Sequence, residues 1–354
     1  MKDKCIILTG GGTAGHVSLN INLKNELAKH FEQIIYIGSK TGIENKLIRE
    51  NTNYTFKEIT TTKLTRKKLL KNLSIPFKLL KGIKESKKII QEYRPSIIFS
   101  KGGYVGLPVV IAGKKLGVPV VCHESDISMG LANKLAKKYA TKICTNFKKT
   151  AKDNGEKCVY TGMPISLSAL TKTQAKDKLK IKTNKPVLLI TGGSLGSKKI
   201  NEFVFENIDF LTNKYYVLHL VGKNNYNKKI NKIDYKQIEF SNDMWTIFKA
   251  SDYAISRAGA NTIVELLSNQ ILTILVPLSK KVSRGDQVEN SKYLEELGVC
   301  KCIQEEDISI VKVQNTLNFL ENNSIFIKNN IKNADFKDGT QNIIKIILQE
   351  KKAV

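Results

Sequence analysis

Apolar residues in this chain fall into short, unalternating runs, separated by glycine-containing turns and by stretches with a three-to-four-residue period. Residues 5–9 form one such run, which breaks into Gly10-Gly11-Gly12-Thr13-Ala14-Gly15-His16 and then into a helical spacing at Leu19, Leu23 and Leu27. Residues 187–191 repeat that order, breaking into Gly192-Gly193-Ser194-Leu195-Gly196-Ser197 ahead of a second helical pattern. Each turn opens an alternating series. Strands are predicted at 34–38, 97–100, 118–122 and 142–145 in the first half, and at 216–220, 237–240, 253–256 and 272–276 in the second. Runs of this kind, β-branched and without alternation, suit parallel strands buried on both faces, so the pattern predicts an α/β fold of two doubly wound domains. The turn Tyr160-Thr161-Gly162-Met163-Pro164 precedes a polar, Lys- and Thr-rich stretch, which divides the chain into 1–163 and 164–354. The last helical pattern, within about 338–351, is a candidate to pack back on the first domain.

Composition narrows the class. A chain of 354 residues with 41% hydrophobic and 25% charged positions is globular, which excludes a disordered, collagenous or disulfide-stapled protein. Lys and Arg number 58 against 32 Asp and Glu, a net charge of +26, and this favours an anionic partner: nucleic acid, phosphate esters or an acidic membrane surface. A simple excess of solvated lysines is the plainer reading of the same number. The six cysteines are scattered through apolar stretches with no Cys-x-x-Cys, so they read as reduced core residues. Cys300 and Cys302 read as strand packing, and no metal site is assigned. No apolar run approaches 18 residues and none at the start has the form of a signal peptide, so neither export nor a membrane span is expected.

A glycine turn between strand and helix frees backbone N–H groups at a helix N-terminus, where a phosphate is favoured. Gly10-x-Gly12-x-x-Gly15 matches the dinucleotide fingerprint, but Ile37-Gly38-Ser39-Lys40 stands where an acidic residue would hold the ribose, which argues against NAD. Neither turn ends in the Gly-Lys-Ser/Thr of a nucleoside triphosphate loop. Two such turns at matching positions point to a two-lobed phosphate-handling cleft; tight turns used only for packing are the alternative. His16, after the first turn, is placed for acid–base work or for capping. His123-Glu124-Ser125-Asp126 follows a strand at the edge where open α/β sheets bind ligands, and serves either hydrogen-bonding chemistry or a helix cap. In the second half Ser256-Arg257-Ala258-Gly259-Ala260-Asn261-Thr262 opens a helix with Glu265 one turn inside, a carboxylate suited to a ribose diol. Arg284-Gly285-Asp286-Gln287 and Asn290 offer polar groups to sugar hydroxyls. The chain lacks an Asp-x-Asp, so leaving-group charge would fall on helix N-termini and basic side chains.

Taken in order, these motifs, with Lys101-Gly102-Gly103-Tyr104-Val105 and Gly130-Leu131-Ala132-Asn133, resemble the bacterial N-acetylglucosaminyltransferases of the lipid I to lipid II step of peptidoglycan synthesis, in wording closest to the Gram-positive branch. The resemblance spans nearly the whole chain. It implies a GT-B fold, two Rossmann-like domains with an interdomain cleft, and an inverting transfer from UDP-N-acetylglucosamine to the muramyl 4-hydroxyl of undecaprenyl-diphosphoryl-N-acetylmuramoyl-pentapeptide, with no metal and no other cofactor. It also implies that the C-terminal domain holds the donor. Ser194 would stand at the diphosphate, Glu265 at the ribose, Gln287 and Asn290 near the sugar, and Ser241 by the uracil, with Arg257, Gly259, Ala260, Asn261 and Thr262 forming the phosphate and sugar rim. Thr13, Ala14 and Gly15 would reach the donor or the acceptor diphosphate. His16 is the first candidate for the base that accepts the hydroxyl proton, with Asp126 and Glu124 next. The family usually has an arginine where Ser166 stands, often Asn where Asp126 stands, and commonly Pro where Leu19 stands.

From Lys63 to Lys88 there are ten Lys or Arg and one acid, Glu85, interleaved with Leu69, Leu70, Leu73, Ile75, Phe77, Leu79, Leu80 and Ile83. Such a helix either lies on an anionic leaflet or is an ordinary surface helix with a core-facing stripe. A polyprenyl acceptor favours the leaflet, and with it a peripheral location on the cytoplasmic side of the cell membrane; other cell-wall synthesis enzymes are candidate partners. The competing readings are another GT-B transferase, a UDP-N-acetylglucosamine 2-epimerase, and a basic nucleic-acid-binding protein. Against the last, the chain has no recognised nucleic-acid module and a single tryptophan, Trp245.

Overall fold

The computed structural model describes residues 3–63, 69–165, 169–336 and 338–352. The chain forms two units. In the first, seven parallel strands stand in the order β3-β2-β1-β4-β5-β6-β7: β1 (Asp3–Thr9), β2 (Phe31–Ser39), β3 (Thr55–Ile59), β4 (Ile97–Ser100), β5 (Val120–Glu124), β6 (Lys142–Thr145) and β7 (Cys158–Tyr160). The second holds six parallel strands in the order β10-β9-β8-β11-β12-β13: β8 (Val187–Thr191), β9 (Tyr216–Leu220), β10 (Tyr235–Ile238), β11 (Tyr253–Ser256), β12 (Leu272–Leu275) and β13 (Lys301–Cys302). Both are doubly wound sheets, with the direction in which successive strands are added reversing between β1 and β4 and again between β8 and β11. Turns leaving the carboxyl ends of those strand pairs diverge and leave a crevice at each switch point.

The burial pattern accounts for the sheets. Ile6, Ile7, Leu8, Ile97, Ile98, Phe99 and Val121 are fully buried, and Leu188, Leu189, Ile190, Leu218 and Ile255 match them in the second unit. Helices on both faces cover such strands, which is why the apolar runs do not alternate. Three strands escape the hydrophobic pattern: β3, whose Thr55, Phe56 and Lys57 are only half-covered and Glu58 exposed at the sheet edge, the three-residue β7, and the two-residue β13. Two others are displaced from their expected positions. The strand expected at 237–240 begins at Tyr235, because Tyr235 packs on His219 while Phe240 is exposed. The strand expected at 118–122 runs on through His123 and Glu124, so those two side chains belong to the sheet and are buried.

Residues from Asp338 onward belong to the first unit. Asp338 bridges Met163 in parallel and accepts a hydrogen bond from Ile165 N at 2.9 Å. Asn342 donates to Thr161 O at 3.1 Å. The helix Thr340–Glu350 buries Ile343, Ile344 and Ile347, and Lys351 pairs with Asp3 at 2.6 Å. No described helix is long and apolar enough to cross a membrane. The helix Ile75–Tyr93 splits the basic amphipathic stretch in two: Ile83, Ser86, Ile89 and Ile90 face the core, whereas Phe77 and Leu80 are 76% and 63% exposed. Leu73 in the preceding turn is also exposed, and residues 64–68 of that stretch lie outside the described residues. Because the closing helix completes one face of the first sheet, Ile347→Ala should destabilise the protein by about 2–5 kcal/mol in urea unfolding; a loss well under 1 kcal/mol would show that the helix merely rests on the surface.

Candidate active site

In the first unit the turn after β1 is shaped from inside. Thr9 donates to Ile37 O at 2.8 Å and Tyr36 OH donates to Gly10 O at 2.6 Å, which pins the start of the turn. Gly12 has φ +88° and its N–H donates to Glu44 Oε2 at 3.1 Å. The same carboxylate accepts from Ser39 N at 3.1 Å and from the Ser39 hydroxyl, and it is fully buried. A side chain at Gly11 would begin 2.5 Å from the Glu44 carboxyl carbon, and one at Gly12 would begin 2.5 Å from the Tyr104 ring. The glycines are thus required by what packs against them.

The outer edge of this turn runs from the exposed Thr13 to the half-buried Ala14, Gly15 and His16, opening the helix Ala14–Asn22. Thr13 Oγ1 and His16 Nδ1 lie 2.9 Å apart, so the threonine orients the ring instead of capping the helix. The threonine hydroxyl can donate to Nδ1 or accept from it, and in the tautomer with Nδ1–H donating, Nε2 carries the lone pair. The position for a side chain on Gly103, after β4, is 3.5 Å from His16 Nδ1. Sheet order therefore sets the turns after β1, β4 and β5 side by side.

The turns after β4 and β5 are joined by buried charge. Lys101 is 2% exposed; its ammonium lies 3.0 Å from His123 Nδ1 and donates to the Ser125 hydroxyl. Burial brings the Lys101 ammonium down to about 8, against the pull of Glu124 and Asp126. His123 Nε2 donates to Gly162 O at 3.2 Å, which leaves Nδ1 as acceptor; burial, and then the lysine charge, push this imidazole well below the usual histidine range. It is neutral and committed at both nitrogens. Glu124 accepts from Asp126 N at 3.0 Å, Gly130 N at 2.9 Å and Asn133 Nδ2 at 2.9 Å, an arrangement that folds the loop 125–130. Of the two acids, Asp126 is the less buried.

The second unit presents a more open turn. Gly193 has φ +88°, and no described atom comes within 4 Å of where its side chain would start; the same is true of Gly259. Ser194 is exposed in the turn between Gly193 and the helix Lys198–Glu206. Behind the turn, Gly196 touches the Val221 carbonyl so closely that no other residue fits. Arg257, expected at a ligand rim, spends its guanidinium on the protein: it donates to Ser197 Oγ at 2.7 Å, Val276 O at 3.2 Å and Pro277 O at 3.3 Å, and pairs with Glu305. Gly259 precedes the helix Ala260–Ser268, which carries Asn261, Thr262 and Glu265. Desolvation raises the Glu265 carboxyl to about 7. Asn290 is fully buried and donates to Ala258 O at 3.3 Å, so it holds the backbone beneath Gly259. Gln287 accepts from Leu278 N at 2.9 Å, and Ser241 accepts from Asp243 N at 3.1 Å. Ser166 lies outside the described residues.

Three partners were not singled out from the pattern. Glu44 stands two residues after Gly42 on the helix Ile43–Asn51, and its only sequence signal is the glycines, 11 and 42, that make room for its carboxylate. Lys101 was visible as part of a motif but not as a buried cation. Glu305 gives no local signal at all.

Comparison with known proteins agrees with this geometry. Residues 6–145 match the glycosyltransferase family 28 N-terminal domain and residues 187–346 the glycosyltransferase family 28 C-terminal domain. A protein of Clostridium tetani is 47% identical over 353 residues, covering 98% of each chain, and one of Clostridium botulinum strain Langeland is 46% identical over 350 residues, covering 97% of this chain and 98% of its own. Both carry the name UDP-N-acetylglucosamine--N-acetylmuramyl-(pentapeptide) pyrophosphoryl-undecaprenol N-acetylglucosamine transferase. The crystal structure of Acinetobacter baumannii MurG superposes with a TM-score of 0.75 at 25% identity, covering 98% of this chain and 99% of that one. The calicheamicin glycosyltransferase CalG4, at 10% identity and a TM-score of 0.72 over 99% of this chain and 98% of its own, shares the fold. The chain is a UDP-sugar glycosyltransferase with the two Rossmann-like domains of the GT-B architecture, and it belongs to glycosyltransferase family 28.

Proposed function

We propose that this enzyme transfers N-acetylglucosamine from UDP-N-acetylglucosamine to the 4-hydroxyl of the muramyl residue of lipid I, giving lipid II, with inversion at the anomeric carbon and without a catalytic metal. The observation that carries this reading is end-to-end similarity, at 46–47% identity, to proteins named for that transfer. The site chemistry supports it. The open backbone at Gly193 and Gly259 and the N-terminus of the helix Ala260–Ser268 suit a nucleotide diphosphate, with Ser194 as a further donor. Glu265 would take the ribose hydroxyls, Gln287 the sugar, and the backbone at Ser241 the uracil. Asn261 and Thr262 line the rim. Asn290 and Arg257 act through the protein: Asn290 holds Ala258, and Arg257 ties the second glycine turn to the ends of β11 and β12.

On the acceptor side, the outer edge Thr13-Ala14-Gly15 meets the lipid-linked diphosphate. His16 Nε2 takes the proton of the muramyl hydroxyl as its oxygen forms the new bond to the anomeric carbon and the bond to UDP breaks. Charge developing on the departing diphosphate is met by the helix N-terminus and the backbone of the second turn, without an Asp-x-Asp to hold a metal. Asp126 is the second candidate base. Glu124 is a loop organiser, its oxygens already taken by Asp126, Gly130 and Asn133.

A lipid acceptor calls for a membrane-facing surface. Leu73, Phe77 and Leu80 are exposed beside Lys78, Lys81 and Lys84, on a helix whose opposite face is anchored in the core. An apolar strip flanked by cations lies well on an anionic leaflet, each cation contributing about 1 kcal/mol. We therefore assign a peripheral position on the cytoplasmic face of the membrane.

Transfer of labelled sugar to a short-chain lipid I analogue should require that analogue and survive EDTA, and His16→Ala should lower kcat by about 10²–10⁴-fold with little change in donor KM. UDP release without acceptor would favour an epimerase, and near-normal turnover of the variant would remove His16 as the base. Ribose hydroxyls donating to Glu265 favour its ionised form, so UDP binding should release a proton near pH 7 and tighten as pH rises from about 6 to 8. Calorimetry in buffers of different ionisation enthalpy reads this release; its persistence in Glu265→Gln would sink the assignment. A Phe77→Glu, Lys81→Glu variant should sediment poorly with anionic vesicles yet keep its turnover on a soluble analogue. Equal, salt-insensitive sedimentation would refute membrane docking by this helix.

A further inference from the structure

The two glycine turns differ in what stands behind them. In the second, the space beside Gly193 and Gly259 is open among the described residues. In the first, the carboxylate of Glu44 occupies the inner side, accepting hydrogen bonds from Gly12 N, Ser39 N and the Ser39 hydroxyl. Side chains at Gly11 or Gly42 would collide with the Glu44 carboxylate, and one at Gly38, which would strike the Phe56 ring, would also crowd the Glu44 stem, so two glycines make room for this one fully buried acid. A glycine turn of this type ordinarily turns its N–H groups toward a bound anion. Here one of them is already satisfied by an anion belonging to the protein.

Two consequences follow from that placement. The buried charge repels a second anion approaching the Gly10–Gly12 side, where a nucleotide's pyrophosphate would lie in a dinucleotide-binding turn. It also anchors Gly12 at φ +88°, which fixes where Thr13 begins the helix and hence the outer edge that ends at His16. We propose that Glu44 is a positioning residue that commits the first glycine turn to the acceptor's diphosphate: with the inner N–H occupied, an anion meets the turn only along Thr13 to His16, beside the candidate base. This rests on the reading of the first unit as the acceptor-binding unit. Glu44 itself touches neither substrate.

The test uses the full chain, UDP-N-acetylglucosamine and a short-chain lipid I analogue. Glu44→Gln keeps the volume but replaces one acceptor oxygen with a donor that faces an N–H. It should raise the acceptor KM by roughly tenfold, the scale of one lost hydrogen bond to a charged group, while donor KM stays within about twofold. Glu44→Ala should raise it further. Ser39→Ala, which removes one donor and leaves the carboxylate in place, should raise it by only about two- to threefold, and it gives a readout if the Glu44 variants fold poorly. An unchanged acceptor KM in Glu44→Gln, or acceptor and donor KM rising in step, would overturn the proposal. Absence of transfer to the analogue by the unmodified enzyme would instead overturn the functional reading, and the Glu44 assignment with it.

Discussion

Parallel strands buried on both faces drive most buried polar groups to the turns at their carboxyl ends, while His219 inside β9 is held by Tyr235 and Asn201. In this protein the strand interiors are almost wholly aliphatic, and the buried polar groups Thr9, Ser100, Lys101, His123, Glu124 and Thr145 gather where the strands of the first sheet finish; Thr191 and Ser256 do so in the second. Each group must find a partner there, because no water is available to a fully buried side chain. The turns are therefore held by a dense internal set of hydrogen bonds, and the ligand-facing atoms are what remains on their outer edges.

The two units solve this in different ways. The first uses separate buried ions. Glu44 lies under one turn and Lys101 under the next, and Glu124 folds the third. The second uses one pair, Arg257 with Glu305, whose guanidinium reaches the start of a helix and the ends of two strands. Breaking a buried charge apart from its partners costs far more than the net worth of the interaction, so Glu44, Lys101 and Glu124 act as rigid fixtures, while the part-buried Arg257 holds its place by several hydrogen bonds at once. That rigidity suits chemistry in which reacting atoms must be held in line.

Strand positions and helix openings were readable because burial on both faces writes itself as unalternating runs, and the glycine turns because close packing tolerates no side chain. The strands from 142, 187, 216 and 253 fall where the runs place them. The edge strand at 55–59 was not readable, since one uncovered side leaves Thr55 and Lys57 polar. The site was legible in its outline and not in its division of labour. Arg257, Asn290 and Glu124 have the chemistry of ligand-binding groups, but Arg257 and Asn290 bond to Ser197 and Ala258, distant in sequence and near only in the fold, and Glu124 bonds to its own following loop and to Asn133. Glu305 is the clearest case, because nothing around it distinguishes it from any other surface acid until the chain has folded.

The closing helix Thr340–Glu350 lies over β4, β5 and β6 of the first unit, although it follows every strand of the second unit in the chain. The seven-stranded sheet has all its strands once β7 ends at Tyr160, and the ribosome must then add about 190 residues before Glu350 emerges. At ordinary rates of synthesis this takes roughly 10–40 s. Throughout that interval the strip that Ile343, Ile344 and Ile347 will cover is bare, and the second unit, whose strands are contiguous, can mature first. The first unit is therefore the later of the two to be finished, because vectorial synthesis delays its cover until every strand of the second unit has been made.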